Sequence, residues 1–404
     1  MTDFENVIHH AVTAQQVPGC AVMADNRDGS LKYAKAFGVT SMKPENAKPF
    51  DISTIMWIAS CTKLMTSICA MQLVERGQIT LDEPIYKHIP ELKHLKVLTG
   101  FDETTGAPIE VEQTRTMTLR HLLSHASGLA YDAMHPLLVA WLQYHKKQSS
   151  TSTKLLERFS APLVFQPGES WSYGSSLDYA GLLIERISGQ SLEAYMKTNL
   201  WEPLGIKDMT FHLSTRPDLA ARLADMSVRD ESGKLHFFPG HVPDFGHDTN
   251  HHEPDCMGGQ GVYTSTEEFF KVVRATLTTD TDEKILKNAT VEEFFKPQLG
   301  EASRAMLNTV LQDDFASRAL GGTAKTAKKD WGLGGVLYGE KVDERPFEAG
   351  TMIWGGYPNL IWFVDRKAGL AGLYASQIVP PGDVKSAELT LEFQKAMYKA
   401  HGNV

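Results

Sequence analysis

The chain has little of what would tie it to an extracellular frame, a membrane or a nucleic acid. Only four cysteines occur in 404 residues. They stand at Cys20, Cys61, Cys69 and Cys256, and no two show CxxC spacing. That excludes a disulfide framework and a standard zinc motif, and the expectation is reduced thiols in a cytoplasmic protein with no metal. No stretch approaches the roughly 18 apolar residues needed to cross a bilayer, so no membrane partner is expected. The opening MTDFENVIHH carries early acids and no apolar run, unlike a secretory signal. The closing HGNV matches no retention or prenylation signal. Basic blocks are missing too: 40 Lys and Arg against 49 Asp and Glu give a net charge of −9, so nucleic acid is not an expected partner.

What remains is an ordinary globular composition, 42% hydrophobic and 22% charged, long enough for about two or three domain-sized units. Residues 5–16 read as an amphipathic helix. The segments PGCAVMADN and LKYAKAFGV flank the turn Arg27-Asp28-Gly29-Ser30 and read as a hairpin. From Ser60, apolar residues recur at helical spacing as far as Gly77. Helices are also expected over 118–129, 135–147 and 176–189. Residues 212–262 are rich in Gly, Pro, His and Asp and read as long loops around a short hairpin near Leu235–Phe238. Strand patterns return at 331–339, 351–356, 359–365 and 369–376, before a last helix over about 386–400. The expected fold class is therefore α+β, an α/β sandwich: one antiparallel sheet flanked by helices and built from both chain ends, with a mainly helical domain inserted. The expected units are 1–58 with 300–404 for the sheet and 59–299 for the helical part, whose long loops line the site.

Three segments carry chemistry. In IASCTKLMTS, Ser60 and Lys63 lie three apart on one helical face, so hydroxyl and amine can be neighbours. The positive helix start favours an alkoxide on Ser60, and burial favours a neutral Lys63 able to take the serine proton. The apolar flanks MWIA and LMTSICAMQLV set this lysine apart from a solvated one, although an N-cap serine beside an ordinary lysine gives the same spacing. In WSYGSSLDYAG, Tyr173 follows a Gln-Pro-Gly turn and precedes a helix, where a phenol can relay protons or simply be half-buried. In TMIWGGYPNLIW, Gly355 and Gly356 allow close approach to the strand, or mark a bulge. The amides of Tyr357 and Ser60 together can form an oxyanion hole, each donor contributing roughly 3 kcal/mol in the transition state.

Ser60-x-x-Lys63, Tyr173-x-Ser175 and Trp354-Gly355-Gly356, in this order, resemble the serine β-lactamase and penicillin-binding-protein superfamily. The phrases MTLRHLLSHASGL, QPGESWSYGSSLDYAGLLIERISGQSLEAYM and GGQGVYTS resemble its class C-like esterase branch. PLGIKDMTF and GGYPNLIWFVDRKAGL are similar to the fungal lovastatin-type acyltransferases, or transesterases, of secondary metabolism. The resemblance spans about residues 15–380. It implies a β-lactamase/transpeptidase-like fold and no cofactor. It also implies Ser60 as nucleophile, Lys63 with Tyr173 as base, and Tyr173 as donor to the leaving group. Trp354, Gly355, Gly356, Ser175, Tyr131 and Trp141 are expected to bind substrate in an apolar pocket. Two departures stand out. Ser175 occupies the place of an asparagine, and Trp354-Gly355-Gly356 that of Lys-Thr-Gly, which removes the cation for a β-lactam carboxylate. The expected function is thus acyl transfer from, or cleavage of, an ester or thioester on a small organic molecule in polyketide-type metabolism. An alcohol is the acceptor, and an acyl-carrier protein or CoA is a candidate donor. A catalytically silent binding protein of the same fold, or a non-hydrolytic cyclisation or elimination, is the competing expectation.

Other residues are set aside. His241, His247, His251, His252 and Asp255 crowd one segment without a standard metal-ligand spacing. His121 and His125 stand four apart but belong to a phrase whose role in the family is structural. Cys61, beside Ser60, has no evident base and reads as a small core residue.

Overall fold

The computed structural model describes residues 2–238 and 254–402. The four histidines of the 241–252 segment lie outside the described residues. The central layer is a seven-stranded sheet. Its strands are β1 (Gly19–Asn26), β2 (Lys32–Gly38), β3 (Lys329–Trp331), β4 (Val336–Tyr338), β5 (Met352–Gly356), β6 (Leu360–Asp365) and β7 (Leu370–Ser376). They run in the order β3-β4-β5-β6-β7-β1-β2, with every neighbouring pair antiparallel. The two chain ends meet where β1 pairs with β7, Cys20 opposite Ser376 and Asn26 opposite Leu370.

Helices cover both faces. α1 (Thr2–Thr13) packs on β2, and α5 (Val384–His401) packs on β7 and β1. The opposite face carries α4 (Thr266–Asp282), which packs on β1, β6 and β7. This double cover explains why β5, β6 and β7 are buried at every position and read as continuous apolar runs. Helix α4 lies within the 59–299 stretch expected as helical domain, yet its buried Phe269, Phe270, Val272, Val273 and Leu277 place it in the sheet layer. Its start is capped by Ser265, whose side chain accepts from the Glu268 amide.

Two expectations shift in detail. The stretch 331–339 is part of a hairpin, not one strand: Gly332 donates to the Gly335 carbonyl at 2.8 Å and turns the chain between β3 and β4. The helix expected over 118–129 stops after Leu119–Leu123. Ser124 bonds back to the Arg120 carbonyl, and His125 takes a φ of 57°, which no α-helix continues through.

The inserted region centres on α2 (Thr62–Glu75) and α3 (Ser176–Ser188), which pack on each other. α2 is buried at every position from Thr62 to Leu73, and its polar members find partners inside, Thr66 at the Gly258 carbonyl and Gln72 at the Ile285 carbonyl. No helix among the described residues is long and apolar enough to cross a membrane.

Candidate active site

The short strand Ile55–Trp57 pairs with Tyr263–Ser265 and delivers the chain into a turn of 3-10 helix, Ala59–Cys61. Ala59 sits there at φ 45°, a strained setting for a residue with a Cβ that recurs where a turn must present one side chain. That side chain is Ser60. Strand β5 closes over the turn from the sheet. A Cβ on Gly356 would lie 2.3 Å from the Ile58 carbonyl oxygen, so only glycine lets the strand come this close to the turn that carries Ser60. Gly174 plays the same part on the other wall, where a Cβ would meet the Leu129 carbonyl at 2.2 Å. This packs Tyr173 beside Tyr131, ring centroids 5.6 Å apart.

Two groups meet at the Ser60 hydroxyl. Lys63 Nζ donates to Ser60 Oγ at 3.1 Å, and Tyr173 Oη donates to it at 2.6 Å. Lys63 Nζ also reaches the Gly259 carbonyl at 2.7 Å and Tyr131 Oη at 3.2 Å, and lies 4.7 Å from the centre of the Tyr173 ring. The lysine is only 2% exposed. Burial lowers its pKa to about 8, against the pull of Asp178 and Cys61, so a free amine is accessible near neutral pH. Burial drives the Tyr173 phenol well above its ordinary value, while the Ser60 hydroxyl opposes the shift. Tyr173 therefore stands protonated, a donor first.

Asp178 is the group that sequence reading passed over. It lies on α3, fully buried, and accepts from the Gly259 amide at 2.9 Å. Tyr131 Oη stands 3.5 Å from its other oxygen. Burial raises its pKa to about 6, with Lys63, the Gly259 amide and Arg158 acting to lower it. The loop at Gly258–Gly259 thus ties both charges in place: the Gly259 carbonyl takes the ammonium and its amide takes the carboxylate. The signal was present, since an acid between Leu177 and Tyr179 occupies a face that α3 buries. His125 supports the same cluster as an apolar body. Its ring centroid is 4.8 Å from that of Tyr173 and 5.0 Å from that of Trp331, and burial keeps it far below its usual pKa.

Ser60 opens onto a cavity of about 740 Å³. Of the residues expected to bind substrate, Tyr131, Trp354, Gly355 and Gly356 line it, as does Tyr357. Trp57, Arg158 and Phe159 line it as well. Sequence reading did not select them because they lie in or beside very short elements, the strand Ile55–Trp57 and the helix Leu155–Arg158, that carry neither a motif nor a period. Trp57 donates its indole N–H to the Gln260 carbonyl at 2.6 Å. The Tyr357 amide follows the last residue of β5 and takes no part in the backbone hydrogen bonds of the described residues. The Ser60 amide belongs to a first helical turn, where N–H groups lack intrahelical partners. Two expected residues stand apart from the cavity. Trp141 lies on the helix Pro136–Tyr144, packs on the small cluster of Leu98, Ala130, Leu138 and Val164, and donates to Glu110 at 2.8 Å. Ser175 is buried at the cap of α3 and faces a small neighbouring hollow lined by Leu129 and Pro162. Trp141 faces away because only one side of its short helix meets the core.

The whole chain is similar to fungal acyl-transfer enzymes. It is 35% identical over 402 residues to the monacolin J acid methylbutanoyltransferase of Aspergillus terreus, covering 98% of this chain and 94% of the relative. It is 34% identical over 394 residues to the lovastatin esterase of Penicillium rubens, covering 97% and 96%. A LovD6 mutant of simvastatin synthase from Aspergillus terreus superposes with a TM-score of 0.90 at 37% identity, covering 99% of this chain and 95% of that one. The β-lactamase family profile matches residues 4–396, and the chain belongs to that family.

Proposed function

We propose that the protein is a serine acyl-enzyme that transfers an acyl group from an ester or thioester to an alcohol, or to water, with Ser60, Lys63 and Tyr173 as its catalytic residues. One observation carries this reading: an amine and a phenol both lie within hydrogen-bond distance of a single serine hydroxyl on the floor of an apolar cavity.

In the first half-reaction the free amine of Lys63 takes the Ser60 proton, and Oγ attacks the acyl carbonyl carbon. The charge that develops on the carbonyl oxygen is received by the Ser60 and Tyr357 amides. The carbon–oxygen or carbon–sulfur bond to the leaving group breaks as Tyr173 gives that group its proton. The second half-reaction reverses these roles. Tyr173, now without its proton, takes that of the incoming hydroxyl, whose oxygen attacks the acyl-serine carbonyl carbon, and the bond from that carbon to Ser60 Oγ breaks as Lys63 returns its proton to Ser60. Asp178, tied to the same Gly259 residue as Lys63, raises the proton affinity that burial lowers.

The walls formed by Trp57, Phe159, Met226, Val228, Phe315 and Trp354 suit a bulky organic acceptor such as a polyketide alcohol. Relatives named as methylbutanoyltransferases and as an esterase support both outcomes for the acyl-serine. An acyl chain presented on CoA or on a carrier protein is the donor this reading favours, and a cytoplasmic setting fits the four free, buried cysteines. The cavity walls come from two units that we assign as a sheet unit of 1–58 and 300–404, joined by α4, and a helical unit from the rest of 59–299.

Intact-mass measurement after incubation with a panel of acyl thioesters and esters tests the reading. The expected result is a covalent adduct whose mass names the acyl group and which Ser60→Ala abolishes. Ligand binding with no adduct in the wild-type protein, or an adduct that persists in Ser60→Ala, would overturn it.

A further inference from the structure

Away from the ester site, three segments distant in sequence bring metal-ligating atoms together. Glu193 lies on the helix Leu192–Met196, His212 follows the strand Met209–Thr210, and Cys256 lies just before the Met257–Gly259 segment. One ligand atom from each falls within 4.8 Å of the others. Cys256 Sγ is 3.5 Å from His212 Nε2, and Glu193 Oε2 is 3.9 Å from the same nitrogen.

That shared nitrogen decides between two chemistries. A nucleophilic relay needs the thiol on one ring nitrogen and the carboxylate on the other. Here both converge on Nε2, as ligands of one central ion do. A tetrahedral zinc ion with sulfur at about 2.3 Å and imidazole nitrogen at about 2.0–2.1 Å sets the two donors roughly 3.5 Å apart, which is the separation found.

The surroundings favour a cation. The Glu193 carboxylate closes the group and forms no salt bridge to lysine or arginine among the described residues, whereas Asp255, beside Cys256, is paired with Lys154. The donors are also held in place. The Glu193 carboxylate accepts from the Phe211 amide at 2.7 Å and from Thr210 Oγ1 at 3.0 Å, and the His212 amide donates to Thr210 Oγ1 at 2.9 Å. Such supporting bonds are what fix ligands around a metal. Cys256 is 4% exposed, while the His212 and Glu193 side chains are each 25% exposed, so solvent reaches the group from one side.

We propose that Cys256, His212 and Glu193 form a binding site for one divalent ion of the zinc class, separate from the ester site. As the ion enters, the Cys256 S–H bond breaks, its proton leaves to solvent, and the sulfur lone pair forms the metal bond. Neutral His212 donates its Nε2 lone pair, the Glu193 carboxylate supplies oxygen, and a water keeps the fourth position. No oxidation state changes. The ion ties together three segments, one of which continues into Gly259, whose carbonyl holds Lys63.

Cobalt(II) titration of the full-length, chelator-treated and reduced protein is the test. The expected result is a near-ultraviolet thiolate-to-cobalt charge-transfer band with visible bands of tetrahedral intensity, saturating at one equivalent and displaced by zinc. Cys256→Ser and His212→Ala each remove the charge-transfer band, while Cys69→Ser keeps it. Where either of the first two variants fails to fold, Glu193→Gln decides, with cobalt affinity expected to fall about tenfold or more. Cobalt binding without a thiolate band, a band that survives Cys256→Ser, or an unchanged affinity in Glu193→Gln would overturn the proposal. The spectrum is read without substrate, so it stands or falls independently of the acyl chemistry.

Discussion

Two buried lysines have nearly the same proton affinity and different surroundings. Lys63, in the inserted region, and Lys329, on the edge strand β3, are 2% and 1% exposed, and burial lowers each to about 8. Lys63 Nζ meets a serine hydroxyl, a tyrosine hydroxyl and a carbonyl. Lys329 Nζ has no hydrogen-bond partner among the described residues, although its backbone is held on both sides by Asn308. A depressed pKa therefore does not make a base. The amine must also face the proton it is to remove, in a place a substrate can reach, and only Lys63 borders a hydroxyl that opens onto the large cavity.

Replacement of each lysine by methionine is the sharpest way to break this contrast. Lys63→Met is expected to lower ester or thioester turnover by roughly 10³-fold, within the range for loss of a positioned general base. Lys329→Met is expected to leave kcat and KM unchanged. Steady-state kinetics on both variants would sink the contrast if the two lost activity alike.

The next effect in size concerns the strand that faces Ser60. Gly356→Ala puts a methyl group 2.3 Å from the Ile58 carbonyl, a backbone atom that cannot swing away. The turn presenting Ser60 and the Tyr357 amide must then separate. The expected loss is about 10²-fold in kcat with a smaller change in KM, close to the loss of one oxyanion donor. Full activity in Gly356→Ala would show that the strand does not set the hole.

A smaller change tests what Asp178 does. If Lys63 is the base, kcat/KM falls as pH drops through about 8, because the amine then carries a proton. The Asp178 carboxylate favours that proton. Asp178→Asn should therefore move the acid limb to lower pH, even where misplacement of Lys63 lowers the maximum rate. An unmoved or raised limb would break the link between the two buried charges.

The legible part of the molecule was the part written in short local patterns. Ser60 and Lys63 share one helical face, Tyr173 follows a Gln-Pro-Gly turn, and Gly355-Gly356 interrupts an apolar strand, so each stands out locally, and the family resemblance favours the functional reading over the ordinary one. The hairpin β1–β2 and the late strands were legible as apolar runs between turn residues. What was hidden depends on contacts between distant segments. The Gly259 carbonyl and amide hold Lys63 and Asp178 from about 196 and 81 residues away and leave no mark on side-chain type. Trp141 misled for the converse reason: an aromatic residue shows that something apolar is covered, but not which cluster covers it. The Glu193, His212 and Cys256 group belongs to the same hidden class, since its members never approach in sequence.

The smallest expected effect returns to Lys329 and is one of stability. A buried amine without a partner costs roughly 1–3 kcal/mol, the penalty for an unsatisfied polar group. Lys329→Met keeps most of the side-chain volume and removes that group, so chemical denaturation near pH 7 should show a gain of this order. The pH dependence carries the sign. A lysine at about 8 in the folded chain and 10.5 in the unfolded one binds its proton more weakly when folded. Between those values the unfolded state holds more protons, so its contribution to stability rises with pH and is flat below the window. The advantage of Lys329→Met over wild type should accordingly be full near pH 7 and shrink as pH climbs from about 8 towards 10.5. Taking the difference between the two proteins cancels the cysteines and tyrosines that titrate in the same range. A difference that stayed constant across the window would mean that Lys329 finds a partner in solution, and the two lysines would then be alike in more than their proton affinity.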